Sequence, residues 1–441
     1  MSLPKVLILG QPFNNDTGGG ITLSNLFAGW DREKLAVACS GYLLNDIDTS
    51  VCNTYYQLGH KEKKWMFPFN LIRQKYPSGL ANFGDKKVYN LSKNNPKLRV
   101  QLINKYVNPA LDYLGFNHVI FRTDLSDDFK NFLDDFNPDV IYGQASSRDG
   151  LLFCSKVSAY LNKPFIFHMM DDWPSTITDN ILFKSYWDRK IDGEFRALLG
   201  KTDLLLTICD EMSREYQRRY GVESKAFHNP IDLQFWKQSQ RTEYSLPDSP
   251  TLLYAGRVGL GIQESLINIA KAIEQVNLEL GLSIKFVLQT AEAPSWTSNF
   301  SHVLHKPFVP YQELPRVFSG ADFLILPYDF SRKSIKYIQF SMPTKASEYM
   351  ASGTPTIVFA PEVTAMAKYA QEYGWADVVT ENDTAKLAET LKNLVNHEEH
   401  RRKIAETANA VAEKRHRADL VTEAFRAEIC SLARPKVITE K

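Results

Sequence analysis

The 441-residue chain is poor in cysteine: Cys39, Cys52, Cys154, Cys209 and Cys430 are scattered singly, with no CxxC spacing and an odd total. That pattern excludes a disulfide-stapled scaffold, argues against a cysteine zinc site and suits a reducing compartment. No run approaches the roughly 18 apolar residues that a membrane-spanning helix needs, and the opening MSLPKVLILG lacks the basic, apolar and small-residue succession of a signal peptide. A cytoplasmic setting is therefore expected, with any membrane contact peripheral. Net charge is missing too. Lys and Arg number 52 against 51 Asp and Glu, whereas a general nucleic-acid binder is usually basic, so no nucleic-acid partner is expected. Neither Gly18–Gly20 nor GRVGLG from Gly256 has the G-x-G-x-x-G spacing, which leaves a dinucleotide oxidoreductase poorly supported.

What is present is ordinary globular composition, 44% apolar and 23% charged, in a chain longer than one hydrophobic core usually serves. Two domains follow. Lys5–Gly10 reads as a short buried strand, QPFNNDTGGG supplies turn residues, and ITLSNLFAGW begins a helical pattern. The same succession returns at TLLYAG (251–256), where RVGLG forms the loop and Leu266, Ile269, Ala270 and Ile273 repeat at helical spacing. Between and after these openings, short apolar runs at 138–144, 163–170, 203–209, 284–290, 321–328 and 354–360 alternate with helix-length stretches. They read as buried parallel strands of an α/β protein. The expected division is a first domain over 1–236, a polar, Pro-punctuated linker over 237–250, and a second domain over 250–414. A C-terminal helix over 415–441 is expected to pack back on the first domain.

Residues 61–105 stand apart, with eleven Lys or Arg against only Glu62 and Asp85, and with Trp65, Met66, Phe67 and Phe69 among the charges. Basic and aromatic groups together suit anionic lipid headgroups or an anionic acceptor; the alternative is an inserted surface subdomain with its own small core.

The stretch SMPTKASEYMASGTPTIVF, Ser341–Phe359, carries the most chemistry. A loop with Pro343 and Thr344 opens a helix through Lys345 and Glu348, Gly353 ends it, and Pro355 leads into a strand. A helix N-terminus offers unpaired N–H groups and partial positive charge, so it can hold a diphosphate, and Lys345 adds a full charge there. Glu348, a turn further in, can accept both hydroxyls of a ribose; the alternative is a buried helix with Lys and Glu on its rim. Gly18, Gly19 and Gly20 can let backbone approach a phosphate or sugar, or form a plain tight turn. His168 ends a predicted strand, where parallel sheets bind ligands, with Asp171, Asp172 and Trp173 in the loop after it. The Asp pair has no second ligand cluster beside it, so no metal is expected.

Together, YAGRVG, ELPRVFSGADFLILPYD and PTKASEYMASGTPTIVF resemble glycosyltransferase family 4 over most of the second domain, and more thinly over the first through the Gly18–Gly20 loop and the His168 region. The resemblance implies a GT-B fold, two Rossmann-like domains with parallel sheets facing across a cleft. It also implies metal-independent transfer, with retention, from a nucleotide-sugar to a saccharide or lipid-linked acceptor in surface polysaccharide or glycoconjugate synthesis. Arg257 matches the family arginine on the donor diphosphate and Glu348 the ribose-binding carboxylate, while Ser341, Thr344 and Lys345 are implied to hold sugar and phosphates. Phe308 and Val309 match the loop that receives the base. His168 matches a histidine facing the donor sugar, with Asp171, Asp172 and Trp173 on the acceptor side. Two positions depart from the pattern: Phe340 stands where the first paired carboxylate should fall, and Ile262 where a loop lysine is usual. Those losses keep two other readings open, a non-catalytic nucleotide-binding scaffold subunit at the membrane and a sugar-nucleotide epimerase.

Overall fold

A computed structural model describes residues 3–15, 17–44, 47–71, 75–81 and 103–434. Much of the basic segment 61–105 therefore lies outside the described residues. The chain divides into two compact units, one running to Phe227 and resuming at Thr422, the other spanning His228–Val421.

The first unit carries β1 (Val6–Leu9), β2 (Leu35–Ser40), β3 (Thr54–Leu58), β4 (Lys63–Trp65), β5 (Gly79–Leu80), β6 (Phe121–Thr123), β7 (Val140–Gly143), β8 (Phe165–Met169), β9 (Leu204–Thr207) and β10 (Ser224–Ala226). Eight of them form one sheet in the order β10-β9-β8-β7-β1-β2-β3-β5, parallel except for β5 at its edge, and β4 pairs with β6 apart from it. The apolar runs read as strands at 5–10, 138–144, 163–170 and 203–209 form four of its central strands. Strands β2 and β3 also belong to this sheet, although their sequences, LAVACS and TYYQL, carry no flanking loop motif that sets them apart. The helix after β1 starts at Gly18 rather than after Gly20: Thr17 caps it, its side chain accepting from Gly20 N. The three glycines are therefore the first helical turn and not a loop.

The second unit carries β11 (Thr251–Ala255), β12 (Lys285–Gln289), β13 (Val303–Lys306), β14 (Phe323–Pro327), β15 (Thr356–Phe359) and β16 (Asp377–Val379), an all-parallel sheet in the order β13-β12-β11-β14-β15-β16. Alternation along these strands separates two cores, as the two-residue repeat of a strand requires. Leu253, Val287, Leu324 and Val358 face Tyr349 and Met350 on one side, and Leu252, Phe286, Phe323 and Ile357 face Leu266, Ile269 and Ile273 on the other.

The residues expected to link the domains are strapped to this second unit instead. Arg241 pairs with Asp322 at 2.9 Å, its N–H donates to Ser352 O, and the Tyr244 hydroxyl donates to Gly353 O. Arg401, buried, donates to Tyr244 O. Gly353 closes the helix Thr344–Ser352 at φ +74°, where a Cβ would stand 2.7 Å from Arg241 O, so both the backbone conformation and the strap call for glycine. At the other end the chain leaves the unit through the helix Ala418–Leu432, whose Phe425 packs edge-on against Phe27, Tyr142 and Phe227 inside the first unit.

Candidate active site

In a parallel sheet the loops after the strands' carboxyl ends are where ligands are held. In the second unit these loops carry Arg257 after β11 and the approach to the helix Thr344–Ser352 after β14. The loop of Arg257 is shaped by Tyr254, whose hydroxyl donates to Arg257 O at 2.6 Å. The Arg257 guanidinium is exposed and makes no ion pair with the described residues. Ala255 N, at the end of β11, donates to the Tyr349 hydroxyl at 3.1 Å, which fixes the helix against the strand carrying the arginine loop.

The helix Thr344–Ser352 begins at Pro343, whose side chain makes no capping hydrogen bond to the amides of the first turn. Lys345 and Glu348, three residues apart, share one face of it. Lys345 Nζ lies 3.0 Å from Glu348 Oε2, a close ionic contact without hydrogen-bond alignment, and 5.8 Å from the centre of the Phe318 ring. Glu348 is only 2% exposed. Burial pushes its carboxyl above the usual range and the Lys345 charge offsets part of that rise. Tyr311, stacked on Phe235, is close enough that the Glu348 carboxylate adds to the upward push of burial on its phenol. A buried carboxylate held by a single cation at an uncapped helix start is arranged to accept hydrogen bonds from a polyhydroxyl ligand whose phosphates lie on the amides.

Ser341 and Thr344 are half-buried just before and at the helix start, and Ser341 O accepts from the Tyr328 hydroxyl. Phe308 is exposed and Val309 rests partly on the core, in the loop after β13. The two departures are accounted for by packing. Phe340 is buried, and Ile262 wedges between both cores, so each position holds an apolar group instead of a charge. Sequence reasoning missed Asp329, just after β14: it is buried, accepts from Ser265 N at 2.8 Å and so caps the helix Gln263–Leu280, with burial raising its carboxyl. Its place at a strand's carboxyl end was the available signal.

In the first unit, Gly19 and Gly20 lie in the first helical turn after β1. A Cβ on Gly20 would meet the Asn14 side chain at 2.3 Å, and Asn14 in turn accepts from Thr17 N. His168, on β8, is buried, and its Nδ1 is bonded to the Tyr142 hydroxyl, which itself accepts from Gln144 Nε2. That chain makes Tyr142 the donor and leaves the imidazole proton on Nε2, which has no aligned partner. Burial lowers the His168 pKa to about 3, the nearby Thr207 backbone offsetting a little of it, so the ring is neutral at physiological pH.

Asp171 is exposed, but Asp172 and Trp173 differ from expectation. Asp172 points inward, pairing with Arg219 at 2.9 Å and accepting from Tyr216 at 3.0 Å, and Trp173 packs against Phe195. With both carboxylate oxygens engaged by Arg219 and Tyr216 in the interior, Asp172 serves the fold. Asp172→Ala is expected to cost about 1 to 3 kcal/mol in urea unfolding by leaving the buried Tyr216 hydroxyl without its acceptor, while Arg219 keeps its pairing with Glu215. An unchanged midpoint would show that the pair carries no structural load.

Residues 268–427 match the family model described as glycosyl transferase-like. No curated protein sequence matches the chain. Among solved structures, sucrose-phosphate synthase from Thermosynechococcus elongatus superposes with a TM-score of 0.61 at 12% identity, covering 97% of this chain and 98% of that one. The UDP-forming α,α-trehalose-phosphate synthase from Burkholderia xenovorans gives 0.60 at 12% identity over 98% and 100%. The Anabaena protein HepE in complex with UDP gives 0.57 at 13% over 97% and 100%. At such identities the likeness is one of fold, and the chain has the GT-B fold with two Rossmann-like domains.

Proposed function

We propose that the protein is a glycosyltransferase that takes a sugar from a UDP-sugar and passes it, with retention, to a saccharide or lipid-linked acceptor in surface polysaccharide or glycoconjugate synthesis. The observation that carries this reading is the Lys345–Glu348 pair near the start of the helix Thr344–Ser352, which Pro343 does not cap, with Arg257, free of ion pairs among the described residues, on a neighbouring strand's loop. Glu348 receives the ribose hydroxyls, and the first-turn amides with Lys345 receive the diphosphate. Ser341 and Thr344 line the approach, while Phe308 and Val309 border the base. The choice of uridine is supported by the glycosyl transferase-like match together with HepE, solved with UDP.

Transfer then needs no enzyme nucleophile. As the glycosidic bond loosens, negative charge grows on the leaving diphosphate. Arg257, Lys345 and the helix start, fixed before the reaction, stabilise that charge, and the acceptor hydroxyl attacks from the face the diphosphate leaves. The departing phosphate takes the acceptor proton. His168 stays neutral and offers its Nε2 proton as a hydrogen-bond donor to a sugar hydroxyl. No step calls for a metal or another cofactor.

Thermal unfolding with UDP, GDP, ADP and their glucose conjugates tests the donor. UDP and a UDP-sugar are expected to raise the midpoint progressively with concentration, since a ligand of the native state stabilises it by mass action. No shift with any nucleotide would defeat the reading. Product analysis of the preferred UDP-sugar without acceptor then separates transfer from epimerisation: slow UDP release with an unaltered sugar supports a transferase, an epimerised sugar nucleotide identifies an epimerase, and binding without turnover under any acceptor identifies a scaffold subunit.

A further inference from the structure

Many of the exposed large apolar side chains of the first unit belong to a few segments that touch one another. Three segments distant in sequence meet there. Trp65 on β4 lies opposite Phe121 on β6 with ring centroids 5.8 Å apart, and Met66 N donates to Ile120 O at 2.7 Å. Leu182 N donates to Tyr113 O at 2.5 Å, and the His118 ring lies 4.8 Å from that of Trp187. From this frame Phe67, Leu71, Tyr106, Tyr113, Phe183 and Tyr186 all stand more than half exposed. Isolated exposed apolar groups need no explanation, but a joined set marks a surface that meets something apolar.

Phe183 makes the point most sharply. It is 69% exposed and sits at φ +60°, a left-handed conformation that bulky residues avoid, at the head of the helix Lys184–Leu199. Strain of this kind, retained on a side chain that fills no core, is found where the projection itself has a use.

Charge identifies the partner. Lys64, Lys75 and Lys105 are exposed and make no ion pair with the described residues, and Lys105 Nζ lies 5.3 Å from the Tyr106 ring centre. The neighbouring acids are mostly answered: Glu62 is buried, accepting from Tyr56 and Gly59 N, Asp124 pairs with Lys156 and Arg122, and Lys61 meets Asp128. Asp112, bonded by Asn117, remains. Among the described residues no helix is long and apolar enough to cross a membrane, so contact of this face with lipid is lateral.

We propose that this face docks on a bilayer surface rich in anionic phospholipid, with Phe67, Leu71 and Phe183 entering at headgroup depth and Lys64, Lys75 and Lys105 meeting the phosphates. Tyrosine and tryptophan rings, with a polar atom beside an apolar body, suit that boundary, and a cationic rim suits its charge. The surface lies wholly within the first unit and its test needs no nucleotide, so it stands or falls apart from the donor assignment.

Co-sedimentation of the full chain with vesicles tests it. Binding is expected to mixed phosphatidylglycerol and phosphatidylcholine vesicles, to fall with added salt, and to be much weaker on phosphatidylcholine alone. Lys64→Gln and Lys105→Gln are each expected to reduce the partition coefficient about fivefold. The pair Phe67→Asn and Phe183→Asn is expected to reduce it by at least about tenfold. Asparagine tolerates the left-handed conformation at 183, so thermal midpoints of the variants should match or exceed the parent's and a folding defect is not a rival explanation. Absence of binding to anionic vesicles, or binding that these variants leave intact, overturns the proposal. Light scattering decides the remaining occupant: self-association abolished by Phe67→Asn with no vesicle binding would make this face a contact between two copies of the chain.

Discussion

Arg257→Ala is expected to lower donor turnover about a hundred- to a thousandfold, the usual loss when one preorganised group facing developing charge is removed. The arginine is exposed, forms no ion pair with the described residues, and its loop is held by the Tyr254 hydroxyl on the Arg257 carbonyl, which alanine keeps. Unfolding stability should therefore change by no more than about 0.5 kcal/mol, as for other surface substitutions. The split between constants carries the mechanism. A group that acts on the charge growing on the leaving diphosphate lowers kcat and kcat/KM together, whereas one that merely grips the ground-state donor raises KM and spares kcat. UDP release from the preferred UDP-sugar, measured over a range of donor concentrations, distinguishes the two. A parental rate would remove Arg257 from the chemistry altogether.

The position of that arginine could be read from the sequence because strand, loop and helix are separately marked there. TLLYAG is apolar and short, RVGLG cannot continue a strand, and the next apolar positions recur at helical spacing. The same holds for Lys345 and Glu348, which the structure places three residues apart on one helix face as their spacing requires. Strands β2 and β3 in the same sheet announce less, since LAVACS and TYYQL are joined by segments that carry neither a glycine-rich turn nor a strongly periodic helix. Direction of pointing was not legible at all. DDW after β8 gives no sign that the first Asp faces solvent while the second turns inward, because what decides it is Arg219, forty-seven residues on in a different helix. The aromatic face escaped for a related reason. Trp65, Met66 and Phe67 stand out among lysines in the sequence, but Tyr113 and Phe183 join them only through the contacts of β6 and the Leu182 amide. Short-range pattern encodes elements, and long-range pairing decides which surface those elements share.

Glu348→Gln is expected to strengthen the fold at neutral pH while weakening UDP binding about ten- to a hundredfold, the scale of losing hydrogen bonds to a charged group. The two effects share one cause. Burial raises the Glu348 carboxyl above its unfolded value, so between those two values the native state holds a proton that the unfolded chain has released. Stability contributed by this group is thus fully present below the unfolded pKa and is lost as pH rises through the folded one. Above both values the native protein keeps an ionised carboxylate in its interior with Lys345 as its close cation, 3.0 Å away. Glutamine removes that charge, and with it the fall in stability across the acid window. Unfolding midpoints for parent and variant should consequently converge towards low pH and separate, variant above parent, as pH climbs past the carboxylate range. Nucleotide titration should move the opposite way, because the neutral amide offers the ribose one weaker acceptor where the carboxylate offered two strong ones. A fold kept below its attainable stability at one residue, by a charge that the ligand needs, is the signature of a binding group. A Glu348→Gln protein with parental UDP affinity, or with a midpoint lower than the parent's at pH 7, would mark the carboxylate as a structural partner of Lys345 and nothing more.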